Sequence, residues 1–143
     1  MMPPLVRKTK PREPCYNQGD MPKDSTQFNV RTNMGKYDLE ANVQQIGPDI
    51  LVAVQGGDLP HIGAVSGAAP TLAASVICFP GHKEDHLVKP MAEKIARETG
   101  KQVVVTAGAH WDKIDPAGIQ EVLQNGELLG DLILEELDSR GND

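Results

Sequence analysis

The four histidines in this chain fall at three places, each following a run that reads as a strand. His61 lies in "GGDLPHIGAVSGAAP" (56–70), directly after the apolar run "ILVAVQ". His82 and His86 lie in "HKEDH", after "LAASVICF", and His110 closes "VVVTAGAH". Ligands bind in loops at strand ends on α/β scaffolds. If the three exits share one edge of a sheet, the imidazoles of His61, His82 and His110 converge. Neutral imidazole is the commonest protein ligand for first-row metals. Asp58, Glu84, Asp85 and Asp112 flank the histidines, either as further ligands or as acceptors that fix an imidazole tautomer. The candidate metal set is therefore His61, His82 and His110 with Glu84, for a divalent transition metal. His86 reads as a surface residue. Lys83 stands where HExxH needs its glutamate, which excludes that protease motif.

The same stretches carry unusual backbone. Gly56, Gly57 and Gly63 either build a tight turn or let backbone N–H groups approach a ligand closely. Trp111, the only tryptophan, is either a packing residue or a platform for a flat ring. There is no P-loop, GxGxxG or GxSxG motif, and Ser66 and Ser75 have no base-and-orienter context.

The elements that must position these residues follow from periodicity. "TQFNVRT" and "YDLEANV" alternate, with Tyr37, Leu39, Ala41 and Val43 in phase, as half-buried strands do. The phase slips at Ile46, where the strand ends or bulges. "ILVAV" (50–54) reads as a central strand, and these three runs form an antiparallel meander. "LAASVICF" (72–79) and "QVVVTAG" (102–108) are further strands, with Cys78 inert in the core. Leu87, Met91 and Ile95 share a helical face, and Gly100 ends that helix. Pro90 suits only a first turn, so the regular helix is expected to start near Lys89. Asp115 before Pro116 opens the last helix, which Gly126 interrupts. The order β-β-β-β-α-β-α gives an α+β fold: a mixed, largely antiparallel sheet of five or more strands with helices packed on one side.

Residues 1–25, rich in proline and charge, are expected to be a disordered leader to a single domain spanning 26–140. A net charge of -6 argues against nucleic-acid binding, which needs lysine and arginine to neutralise phosphates. The first residues, "MMPPLVRKTK", lack the apolar stretch of a signal peptide, and no apolar run is long enough for a membrane span. Cys15 and Cys78 sit in unlike settings, so a cytoplasmic protein without a structural disulfide is expected. A homodimer is the default assembly.

Taken in order, "GGDLPHIGAV", "HKED" before a helix and "VVVTAGAHWDKI" resemble the prenylated-flavin chaperone (LpdD-like) family. Its members are the small "D" proteins encoded alongside UbiD-type decarboxylases. The resemblance covers about residues 36–138. It departs at "GAHWD", where Ala109 and Trp111 stand in place of aliphatic residues. It implies a cofactor-handling chaperone rather than an enzyme. Such a protein binds prenylated FMN, or FMN, and assists its maturation or delivery to a UbiD-type decarboxylase beside a flavin prenyltransferase. It carries a site onto His61, Ile62 and Gly63, onto His82, Glu84 and Asp85, and onto His110 and Asp112, with a metal at the histidines. On this reading the flavin-binding residues are Gly56, Gly57, His61, Ile62, Gly63, Lys83 and Trp111. The glycine-rich backbone, helped by Lys83 or Lys89, would hold the phosphate, and Trp111 or Ile62 would cover the ring. Two other classes stay open. One is a metal-dependent hydrolytic enzyme with Glu84 as general base. The other is an accessory decarboxylase subunit with no ligand of its own.

Overall fold

A computed structural model describes residues 26–33, 35–81 and 83–141. The leader and His82 lie outside the described residues. Strands β1 (Gln27–Arg31), β2 (Leu39–Ile46), β3 (Asp49–Gly57), β4 (Ala64–Ala69), β5 (Leu72–Cys78) and β6 (Val103–His110) form one sheet. Helix α1 (Asp85–Thr99) precedes β6, and α2 (Pro116–Gly141) ends the described chain. The sheet order is β1-β2-β3-β6-β4-β5, antiparallel throughout except for the parallel pair β3–β6. This is the α+β fold expected, with six strands.

Period-two alternation assigns the faces. Phe28, Ala41, Val52, Val105 and Ser66 lie on neighbouring strands and are all buried beneath the helices. α1 packs over β4, β5 and β6, and α2 over β1 and β2. α1 contributes Leu87, Val88, Met91, Ala92, Ile95 and Ala96 to the core, a stripe at helical spacing. The opposite face of the sheet has no covering layer among the described residues.

Five local expectations are corrected. Residues 64–69, read as part of a glycine-rich loop, form β4. Its alanines, serine and glycine lack the β-branched signature, and their strand state is set by pairing on both sides. Tyr37 belongs to a 3-10 turn (Gly35–Tyr37) rather than to β2. α1 begins at Asp85, so Pro90 sits inside it. The first turn is held by Leu87 and Val88 N–H groups donating to Glu84 O at 2.9 and 3.0 Å, and it buries both side chains. That burial outweighs the one backbone bond proline removes. Gly126 does not break α2. It faces α1, where an added Cβ would lie 2.6 Å from Leu87 Cδ2, so it lets the helices approach. Cys78, expected in the core, is exposed at the end of the edge strand β5.

Both helix boundaries signalled by sequence hold. Asp115 Oδ1 accepts the Gly118 N–H at 2.7 Å and caps α2. Gly100 ends α1 in the left-handed region (φ 70°), its N–H donating to Ala96 O. Among the described residues no helix is long and apolar enough to cross a membrane.

Candidate functional site

β3, β5 and β6 all run in the same direction, because β5 and β6 are each antiparallel to β4 and β3 is parallel to β6. Their exits therefore lie along one edge of the sheet. The N-termini of α1 and α2 reach the same edge, since each helix follows one of these strands. A cavity of about 610 Å³ opens there. Its ionisable lining is His61, Lys83, Glu84, His86 and His110. Its apolar lining is Leu87, Ile114, Ile119, Val122 and Leu123, with Trp111. A volume of this size accommodates a cofactor-sized ligand.

The best-fixed group is the His61–Glu84 pair. His61 Nε2 lies 3.0 Å from Glu84 Oε1, and His61 Nδ1 lies 2.9 Å from Leu59 O. Both ring nitrogens face oxygen atoms, so the Glu84 carboxyl and the Leu59 carbonyl together fix the orientation of the imidazole. Glu84 is buried, at 8% exposure, and its Oε1 also receives the Ala109 N–H at 3.5 Å. Tying the β3–β4 loop to the start of α1 fixes the mouth of the cavity.

Two glycines make this pair possible. A Cβ at Gly63 would lie 2.3 Å from Glu84 Oε2, and one at Gly108 would lie 1.5 Å from His61 O. The sequence favoured glycines that open backbone amides to a ligand. Here they give way to a buried carboxylate and to a crossing loop. The Gly63 N–H is committed to Ala107 O at 2.9 Å, and the Asp58 N–H to His110 O at 2.8 Å. Gly57 (φ +78°) turns the chain out of β3 against the His110 carbonyl.

Trp111 is buried. Its Nε1–H donates to Lys36 O at 2.9 Å, and its ring meets Tyr37 edge-on with centroids 5.4 Å apart. It forms a wall between the main cavity and a smaller one of about 380 Å³, which Gly56 and Gly57 line together with Arg31, Lys36 and Asp58. Arg31 in that second cavity donates to Asp38 at 2.9 Å, and this bond raises the guanidinium above its ordinary value.

The expected site residues thus divide. His61, Lys83, Glu84, His110 and Trp111 line the main cavity. Gly56 and Gly57 lie on the far side of Trp111. Gly63 is buried behind Glu84, and Ile62 is exposed outside both cavity walls. His82 of the expected metal set lies outside the described residues. His61 points at Glu84 and His110 at Asp112 (Nε2 to Oδ1, 3.0 Å), and among the described residues no group of three or more potential ligands is close enough to hold an ion. His86 is a surface residue, as read, with its side chain 71% exposed, and it also edges the cavity. Ile114, Ile119, Val122 and Leu123 also went unnoticed. Their signal was an apolar cluster just before α2 and in its first turns, more than one buried face requires, with Ile119 left 46% exposed.

Comparison with known proteins identifies the family and the fold. Residues 33–138 match the model of the prenylated flavin chaperone LpdD-like domain. Protein LpdD of Lactiplantibacillus plantarum is 33% identical over 93 residues, covering 62% of this chain and 68% of that protein. In a crystal structure of a chaperone complex for yeast 20S proteasome assembly, one chain superposes with a TM-score of 0.52 at 15% identity. The match covers 80% of this chain and 95% of that one, a likeness of fold. With its family motifs on the cavity edge and most of its folded length matched, the chain belongs to the prenylated flavin chaperone LpdD-like family.

Proposed function

We propose that the protein binds prenylated FMN in the 610 Å³ cavity and hands it to a UbiD-type decarboxylase in the cytoplasm, downstream of a flavin prenyltransferase. The observation that carries this reading is the cavity's division into an apolar wall and an ionisable rim. Leu87, Ile114, Ile119, Val122 and Leu123 offer the apolar surface that a flat ring system covers. Lys83, His86 and His110 on the rim offer donors to a phosphate dianion, where charge-assisted hydrogen bonds are strongest. The His61–Glu84 pair holds the mouth in shape. The cargo supplies decarboxylation chemistry only in its final host, so this chain acts as an accessory protein. Net charge does not oppose binding, because one local cluster of donors suffices. Release must also be possible. A dissociation constant near micromolar, about 8 kcal/mol, permits handover.

The test mixes purified protein with reduced prenylated FMN under anaerobic conditions, separates it by gel filtration, and adds apo-decarboxylase. Flavin should travel with the protein and then appear on the decarboxylase. Complete separation of flavin from protein on the column overturns the proposal.

A further inference from the structure

The uncovered face of the sheet is apolar over its β3, β6, β4 and β5 half. By alternation, Leu51, Ala53, Val104, Val65, Ile77 and Phe79 point away from the helices. Several are far from buried: Val104 is 41% exposed, Phe79 44% and Ile77 64%. The β1–β2 half is amide-rich, with Gln27, Asn29, Asn42 and Gln44. The formal charges on this face are Arg31, Glu40 and Asp49, all at its ends, a sum of -1 in a chain carrying -6. Self-association through any more acidic surface would meet like-charge repulsion, and this face largely avoids it. Six strands at about 4.8 Å spacing and about 20 Å long project roughly 600 Å². A pleated surface exposes more than its projection, so this approaches the roughly 800 Å² each partner gives to a standard interface.

The two ends of the apolar half differ in shape. Phe79 projects at the end where β5 exits and β4 begins. At the other end a groove of about 430 Å³ is lined by Ile46, Leu51, Gly67, Leu72 and Val104. A two-fold axis lying between two such faces and running across the strands reverses the strand direction. It keeps β5 over β5 and β1 over β1. Apolar surface then meets apolar surface, amide meets amide, and each Phe79 falls over the partner's groove. We infer that this open face is a homodimer interface, a sheet-on-sheet stack about 10 Å thick in which Phe79 of each copy fills the groove at Leu72 of the other. The inference is independent of flavin binding.

The test uses the full chain in light scattering coupled to gel filtration, with circular dichroism to confirm folding. Wild type should elute at about 31 kDa, twice the 15.4 kDa chain. Phe79→Lys and Leu72→Glu should each raise the dimer dissociation constant at least tenfold. Both side chains are exposed, so both variants should stay folded. An equimolar mixture should recover dimer, because the two-fold stack sets the new lysine against the new glutamate and leaves one unaltered Phe79–Leu72 contact. A monomeric wild type overturns the inference, whether the face is then covered by residues 1–25 or by another protein. Dimers unaffected by both substitutions, or a mixture that recovers nothing, also overturn it.

Discussion

Substituting Gly108 by alanine tests whether the site's glycines serve packing rather than ligand contact. A Cβ at Gly108 would lie 1.5 Å from His61 O, 2.2 Å from its carbonyl carbon and 3.0 Å from Ile62 N. These are backbone atoms, so no side-chain rotation relieves the clash. The β3–β4 loop must retreat by more than an ångström to reach ordinary contact, and His61 moves with it. Overpacking of this kind costs about 1–3 kcal/mol. At roughly 4 °C per kcal/mol for a domain of this size, Tm should fall by about 4–12 °C. The retreat also stretches the 3.0 Å His61–Glu84 contact, so flavin affinity should fall even where the protein stays folded. Gly130→Ala is the matched control. Its Cβ would meet only Met91 Cγ at 4.0 Å, and mid-helix alanine gains about 0.5–1 kcal/mol over glycine. Urea unfolding and a thermal melt on both variants decide the matter. If Gly108→Ala melts and binds like wild type, the close-packing account of this loop is wrong.

Other outcomes follow from the same contacts. Gly63→Ala, which drives a methyl toward the buried Glu84 carboxylate, should destabilise by about 1–3 kcal/mol in urea unfolding. Asp115→Ala removes the cap on Gly118 N–H and should cost about 1 kcal/mol. Trp111→Phe loses the bond to Lys36 O and should cost about 1–2 kcal/mol, while merging the two cavities' walls and broadening ligand tolerance in a binding screen.

Much of this was legible because it depends on local pattern. Alternation in β2 and the apolar run of β3 place those strands. Asp115-Pro116 and Gly100 place helix ends, and His61 and His110 at strand exits mark the edge where the main cavity opens. What escaped depends on contacts between distant residues. β4 is a strand because β5 and β6 flank it, which "AVSGAA" does not announce. Pro90 is helical because the turn before it buries Leu87 and Val88. Glycine spacing around His61 fits either an anion-binding loop or a crowded crossing. Only the positions of Glu84 and Gly108 relative to His61 decide between them. Histidines at neighbouring exits likewise suggest a common metal, whereas His61 and His110 each lie beside a separate carboxylate, Glu84 and Asp112.

The central claim is that the cavity edged by His61 and Lys83 holds the flavin. Its most direct test is anaerobic titration of reduced prenylated FMN into wild type, His61→Ala and Lys83→Ala, with Lys101→Ala as a control remote from the cavity. Loss of the Lys83 charge-assisted contact, about 1.5–3 kcal/mol, should weaken binding about 10- to 150-fold, His61→Ala should weaken it by releasing the cavity mouth that His61 and Glu84 hold, and the control should be unchanged. Equal affinity in all four proteins would contradict the account.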